Sequence, residues 1–332
     1  MSFGRWCHAA FACLTAFAAL ASQAAPAASQ DWPVRSIALI VPFGPGSATD
    51  VVARIIGSRM SEVLGQQVII ENVSGAGGMI GLARVAKAAP DGYQVGLGAV
   101  DSIAQSQALF ATPLYNSASD FTPVGLAVEQ PLLLIARKEL PPNTLKEFAD
   151  YVKVNHGKMQ FGSGGAGSAV HLACSQITQA IGTSVAHVPY RSSAAALLDL
   201  VAGTLDFYCP LAAAGAPLID SKSVKALAIL TRNRSPLMPE LPSAQEQGIE
   251  GIDAYYWMGY FLPKDTPEPI VAKLNAAIGA ALDTPAVASR LRDVGTTVVM
   301  SERRSPAHFR SFVESEIKKW TETIKSSGVK LN

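Results

Sequence analysis

The sequence predicts an α/β protein of two lobes, each a mostly parallel sheet flanked by helices, with a cleft between them. Three observations carry this prediction. Short apolar runs of strand length alternate with amphipathic helical stretches along nearly the whole chain. Three of those runs break into glycine-rich loops that open a helix. Residues 37–43 precede Gly44-Pro45-Gly46-Ser47, residues 68–73 precede Ser74-Gly75-Ala76-Gly77-Gly78, and residues 159–161 precede Gly162-Ser163-Gly164-Gly165-Ala166-Gly167-Ser168. The alternation also continues for roughly 300 residues, a length that suggests two domains.

The chain has 332 residues, and its start reads as a secretory signal peptide. Arg5 supplies a positive leader, residues 9–20 are apolar, and small residues over 21–28 offer cleavage sites after Ala24 or Ala27. The apolar stretch is shorter than a membrane span requires. A lipoprotein reading of Cys13 is disfavoured by the bulky Phe11 two residues before it. The expectation is an exported, soluble, periplasmic protein. Without the leader and its Arg5, basic and acidic residues balance. The absence of a basic bias or of like-charge runs argues against nucleic acid or an acidic membrane as partner. Cys174 and Cys209 are the cysteines beyond the leader. They stand either as a pair or as two small buried hydrophobes.

Taken in order, residues 36–43 read as a buried strand stopped by proline and glycine. Residues 50–64 carry an apolar helical stripe, and Ser47 with Asp50 has the spacing of a capping box. Gly65 ends that helix. Residues 68–70 and 93–99 read as strands around a helix over 78–88, which implies right-handed βαβ units. The run 124–136 is extended and apolar. Residues 145–154 form a helix opened near Asn143 or Thr144. Strands over 159–161, 186–189, 205–208 and 226–231 enclose helices over 170–181 and 194–201. A proline-rich polar stretch covers 235–251. A strand over 255–262 and helices over 269–282, 285–294 and 306–326 complete the chain. Crossings near Ala127 and Tyr255 make the first lobe discontinuous, with residues 28–127 and 255–332 in one lobe and 128–254 in the other.

Helix N-termini present unpaired amides and the positive end of the helix dipole, so glycine loops that open helices suit a small anion. All three loops fall at the carboxyl ends of strands, where open α/β sheets bind ligands. At the first loop, either the amides of Gly46 and Ser47 hold a carboxylate with Phe43 as an apolar wall, or the loop is a tight turn with a good cap. Asp50 is expected to cap backbone, since a like charge repels an anionic ligand. The glycines at 162, 164 and 167 match Gly-x-Gly-x-x-Gly, but the next strand and its end, 186–191, lack the acidic residue that a dinucleotide needs. Asp101 and Ser102 follow the third strand and face the cleft. Asp101 either caps the next helix or accepts a bond from an amino group on the ligand. Tyr190, Arg191 and Ser192 follow another strand, and a serine there caps the next helix by default.

Catalysis finds little support. No Gly-x-Ser-x-Gly elbow occurs, and Ser315-x-x-Lys318 lies on a polar helix without partner motifs. His156, His171, His187 and His308 show no metal-binding spacing, and each reads as structural, with His171 also placed to line the cleft. No cofactor or metal is expected.

Together the strings IALIVPFGPGSATDVVAR, ENVSGAGGMIGLARVAKAAPDGY, FGSGGAGSAVHLA, VPYRSSAAALLDLVAGTLDF and FLPKDTPEPIVAKLN resemble the substrate-binding proteins of tripartite tricarboxylate transporters, the Bug-type receptors. The resemblance covers essentially the whole mature chain. It implies a type II-like periplasmic binding-protein fold that closes on a small mono- or dicarboxylate, with aromatic acids, aliphatic acids and acidic amino acids all fitting; a monomer is expected. It also implies delivery to a permease of one large and one small subunit. Carried over by position, it points to Phe43, Gly44, Gly46, Ser47, Gly75, Ala76, Gly165, Ser168, Tyr190, Arg191 and Ser192, to which the reading above adds Asp101. The chain departs from the family at Gly46-Ser47, often Gly-Gly there, and at 191–195, often Lys-Gly-Gly-x-Pro. The alternatives are an exported α/β hydrolase or transferase, which the missing nucleophile–base set disfavours, and an ABC-type solute receptor.

Overall fold

The computed structural model describes residues 32–190 and 192–327. The expected leader and Arg191 lie outside the described residues.

Strand β1 (Ile37–Val41), helix α1 (Ala48–Leu64), β2 (Val68–Asn72), α2 (Met79–Ala86) and β3 (Gln94–Ala99) form the first βαβαβ run. Each element follows from its local sequence. Ser47 caps α1, its Oγ accepting from the Asp50 amide, and Gly65 closes it in the left-handed region. The apolar stripe Val52, Ile55, Ile56 and Met60 is buried. After β3 a π-type turn, Asp101–Gln105, runs into the short α3 (Ser106–Leu109) and then β4 (Phe121–Pro131).

The second run comprises β5 (Leu133–Arg137), α4 (Leu145–Asn155), β6 (Gln160–Ser163), α5 (Ala169–Ala180) and β7 (Ala186–Pro189). It continues through α6 (Ser193–Val201), β8 (Phe207–Tyr208), α7 (Ala212–Asp220) and β9 (Val224–Ile229). The chain ends with β10 (Tyr255–Pro263), α8 (Glu268–Leu282), α9 (Pro285–Asp293), β11 (Thr297–Val298) and α10 (Pro306–Ser327).

Two sheets result. The first has six strands in the order β11-β4-β10-β3-β1-β2, the second five in the order β7-β6-β8-β5-β9. In the first, β1, β2 and β3 are parallel, and β10 runs antiparallel to both β3 and β4. In the second, β6 is parallel to β7 and β8, and β5 is antiparallel to β8 and β9. The internal strand that runs backwards in each sheet is therefore the one arriving from the other lobe: β5 in the second, β10 in the first. The run 124–136, expected as one apolar stretch, spans both sheets. It divides at Leu132, which is bonded to both returning segments. Leu132 donates to Ala254 O at 3.3 Å and accepts from Leu230 N at 2.8 Å, and Ala254 N donates to Leu230 O at 2.6 Å.

This pairing fixes where the loops lie. Strand β4 is parallel to β1 and β3, so its end at Pro131 lies on the side of their carboxyl ends. In the second sheet β5 begins at that crossing, and β6, β7 and β8 run opposite to it. Their carboxyl ends therefore also face the crossing, and Leu132 bridges to Leu211 just beyond β8.

The C-terminal helix packs across both lobes. It lies on β4 and on the turn Asp101–Gln105, and Gln176 Nε2 of α5 donates to Thr323 Oγ1 at 3.4 Å. Buried Glu316 holds the helix against β10 by accepting from Trp257 Nε1 at 2.8 Å, and within the helix it also accepts from Trp320 Nε1 at 3.1 Å. Cys174 and Cys209, left open by the sequence as a pair or two hydrophobes, form a buried disulfide from α5 to the residue after β8. Among the described residues no single helix is long and apolar enough to cross a membrane.

Candidate functional site

In the first lobe, Phe43, Gly44, Gly46 and Ser47 lie after β1, Gly75 and Ala76 after β2, and Asp101 after β3. Gly78 brings these three loops together. A side chain there would come within 3.2 Å of Phe43 Cζ and 3.0 Å of Ser102 Cβ. With its φ of 92° as well, the position favours glycine where the three loops meet.

The amides expected to face a ligand in the first loop are spent inside it. Gly46 N donates to Asp50 Oδ2 at 2.9 Å, and Ser47 N to Gly44 O at 3.2 Å. Buried Asp50 is the hub: it also accepts from Arg54 Nε at 3.0 Å and from Asn72 Nδ2 at 2.9 Å, while Asn72 holds Phe43 O at 2.9 Å. Burial pushes the Asp50 carboxyl up, but the bonds from Arg54, Gly46 and Asn72 outweigh that and hold it below the usual range. Since Ser47 caps the Asp50 amide, the amides without a helical acceptor are those of Ala48 and Thr49.

The second lobe repeats this loop. Gly167 N donates to His171 Nδ1 at 2.9 Å, Ser168 N to Gly165 O at 3.3 Å, and His171 N to Ser168 Oγ at 3.3 Å. The Ser168 hydroxyl donates to Gly165 O at 2.8 Å. The amides left over belong to Ala169 and Val170. Burial, helped by neighbouring His187, lowers the His171 pKa to about 4, so the ring is neutral and Nδ1 is free to accept. The two rings stack with centroids 3.7 Å apart, and His187 Nε2 lies 2.6 Å from Ser163 Oγ.

Tyr190 N donates to Ser163 O at 2.9 Å, which sets the loop after β7 against the glycine loop. The Tyr190 hydroxyl donates to Asp199 Oδ2 at 2.6 Å, and burial together with Asp199 pushes its pKa up to about 12. Ser192 caps α6, leaving the amides of Ser193 and Ala194 without helical acceptors. The hydroxyls of Ser47, Ser168, Ser192 and Tyr190 thus serve the fold. The main-chain N–H groups without a helical acceptor lie at the starts of α1, α5 and α6.

Asp101 differs from the other site residues. Its Oδ1 accepts from the Ser102 amide at 2.8 Å and its Oδ2 from the Tyr256 hydroxyl at 3.0 Å. The Thr49 side chain, at the start of α1, neighbours the same hydroxyl. Burial raises the Asp101 pKa to about 6, against the pull of Ser102 and Tyr256. On the same turn Gln105 is fully buried, with neither amide atom paired.

Sequence reasoning missed Asn72, Tyr256 and His187, which join the site through long-range contacts. The roles of Asp50 and His171 had a readable signal. Both follow a Gly-Ser pair at one spacing, Gly46-Ser47-x-x-Asp50 and Gly167-Ser168-x-x-His171. Among the described residues no group of three histidine, cysteine or acidic side chains could hold a metal.

Two α/β lobes whose helix N-termini face a double-stranded crossing define the two-lobe periplasmic binding-protein fold. The sequence matches the family described as tripartite tricarboxylate transporter family receptor over residues 52–329, and the chain belongs to that family. It is 33% identical over 316 residues to BugT of Bordetella pertussis, covering 95% of this chain and 96% of that one. MatC from Rhodopseudomonas palustris, solved with bound malate, is 40% identical with a TM-score of 0.78, covering 88% of this chain and 100% of that one. R. palustris Rpa4515, solved with adipate, is 33% identical with a TM-score of 0.79, covering 90% and 98%.

Proposed function

We propose that the chain is a periplasmic receptor that closes its two lobes on a small carboxylate, does no chemistry on it, and hands it to a membrane permease. The first lobe is built on the six-stranded sheet, up to Pro131 and again from Tyr255, and the second on the five-stranded sheet between them. Exported behind its leader, the receptor acts as a monomer and meets a permease of one large and one small subunit. The ligand lies between Phe43 with the first-lobe loops and the loops carrying Gly165, Ser168, Tyr190, Arg191 and Ser192.

The observation that carries this reading is the facing of the helix starts. The unspent amides of Ala48 and Thr49 in one lobe, and of Ala169, Val170, Ser193 and Ala194 in the other, lie at strand ends that face the same crossing. The malate and adipate held by the two relatives are the kind of guest such donors suit. The energetics agree. A micromolar complex requires about −8 kcal/mol. A guest of about ten heavy atoms buries too little apolar area to supply this once association costs are met. Charge-assisted hydrogen bonds of about 1.5–3 kcal/mol each can make up the difference. A guest bonded to both lobes at once favours the closed form, and that form is what a permease reads.

The test is a thermal-shift screen of the purified mature protein against carboxylates, sugars and inorganic cations. Stabilisation by one or a few carboxylates is expected. Stabilisation by sugars or cations alone would overturn the reading.

A further inference from the structure

We infer that the guest of this receptor carries a protonated amino group beside its carboxylate, and that Asp101 is the acceptor for that group. The inference rests on the carboxylate reading above and narrows it.

Asp101 is a half-buried carboxylate at the carboxyl end of β3, where the first-lobe loops converge. Two hydrogen bonds reach it, from the Ser102 amide and the Tyr256 hydroxyl. A carboxylate offers about four acceptor positions, so about half of its capacity is unspent. Among the described residues no cation pairs with it. Acids of low exposure elsewhere are matched: buried Asp50 by Arg54 at 3.0 Å, half-buried Glu129 by Arg303 at 2.6 Å, and buried Glu316 by Lys319 at 2.6 Å. A desolvated carboxylate without a counter-charge is costly to keep, and it repels a second anion. A receptor for a plain dicarboxylate gains nothing from it.

Its position gives the charge a use. The Tyr256 hydroxyl is bonded to Asp101, and the Thr49 side chain neighbours it. Thr49 belongs to the first turn of α1, whose amides are the carboxylate donors proposed above. The Asp101 carboxylate and that turn are therefore separated by the neighbourhood of a single hydroxyl, a short gap. A guest with an ammonium group close to its carboxylate spans such a gap with one bond at each end. The carboxylate meets the amides, and the ammonium meets Asp101.

Calorimetry at pH 8 on matched pairs tests this: L-aspartate against succinate, and L-glutamate against glutarate. In at least one pair the amino-bearing member should bind about tenfold or more tighter, the worth of one charge-assisted bond. In Asp101→Asn that ratio should fall to about one. Amino-free members that bind as well as or better than their twins, with no pair favouring the amine, overturn the inference and leave the carboxylate reading standing. A preference that survives Asp101→Asn in a folded variant overturns it as well. If no carboxylate of either kind binds, the carboxylate reading falls and this inference falls with it. If Asp101→Asn fails to fold, Asp101→Ser is read in the same way, and the wild-type comparison alone overturns the inference when no pair favours the amine.

Discussion

Asp50 and His171 take the same hydrogen bond in two copies of one loop. Gly46 donates to Asp50 Oδ2 and Gly167 to His171 Nδ1, each at 2.9 Å and each from four residues upstream. Both glycines have positive φ, 79° and 76°. The serines that follow have nearly identical backbones, with φ −66° and ψ 159° at Ser47 and φ −66° and ψ 157° at Ser168. The shared bond ties down the amide before the cap, and the first two helical amides have no helical acceptor. One acceptor is a charged carboxylate neutralised by Arg54, the other a neutral imidazole.

That difference makes the second-lobe loop acid-sensitive. His171 has a folded pKa of about 4, below the 6.5 of an unperturbed histidine, because of burial and then His187. Between those values the unfolded chain binds the proton and the folded chain does not, so stability falls as pH drops through that window. His171→Asn keeps an acceptor for the Gly167 amide without titrating. Denaturant unfolding at pH 7 and pH 4 should show the wild type losing up to ~3 kcal/mol more than this variant. Parallel pH profiles would contradict the account.

Asp101 has the opposite sign. Its folded pKa of about 6 lies above the usual 3.8, chiefly through burial. The neighbouring groups that titrate are Tyr256 and Tyr115, both neutral in this range. The unfolded carboxyl therefore ionises first, and stability is lost as pH rises from about 4 through 6. Asp101→Asn should be more stable than wild type at pH 8 by up to ~3 kcal/mol, with the gap closing near pH 4. Unfolding curves at the two pH values read this out, and a variant less stable at pH 8 would refute the burial argument.

The Cys174–Cys209 bond closes a loop of 35 residues within the second lobe. Replacing both cysteines by alanine should cost about 2–4 kcal/mol of unfolding free energy through the freed denatured chain. Reduction of the wild type should lower its melting temperature in the same direction, while the double variant should not respond to reductant. An unchanged wild-type melt under reduction would show that the bond contributes nothing.

Elements with a local signature were legible in the sequence. The strand at 37–41, the cap at Ser47, the stop at Gly65 and the helix opened by Thr144 each depend on residues adjacent in the chain. The helix Ala212–Asp220 was not, because Leu211 gives no side-chain cap and Pro217 sits inside it. The division at Leu132 was hidden because 124–136 stays apolar on both sides of it, and only the partner strands tell the two sheets apart. At the site, the glycine loops were readable and the direction of their amides was not. The bond from Gly46 to Asp50 is local and could have been foreseen, whereas the link from Tyr256 to Asp101 joins residues 155 positions apart.

The central claim is that main-chain amides at the starts of α1 and α5 bind the guest, and proline tests it at the level of single N–H groups. Proline is tolerated at the first helical position, and the extended backbones of Ser47 and Ser168 suit a following proline. Ala48→Pro and Ala169→Pro therefore each delete one unspent amide while leaving the caps and helices in place. Calorimetry with the carboxylate that most stabilises the wild type should show each variant losing about tenfold or more in affinity at a near-unchanged melting temperature. Wild-type affinity in both folded variants would contradict the account.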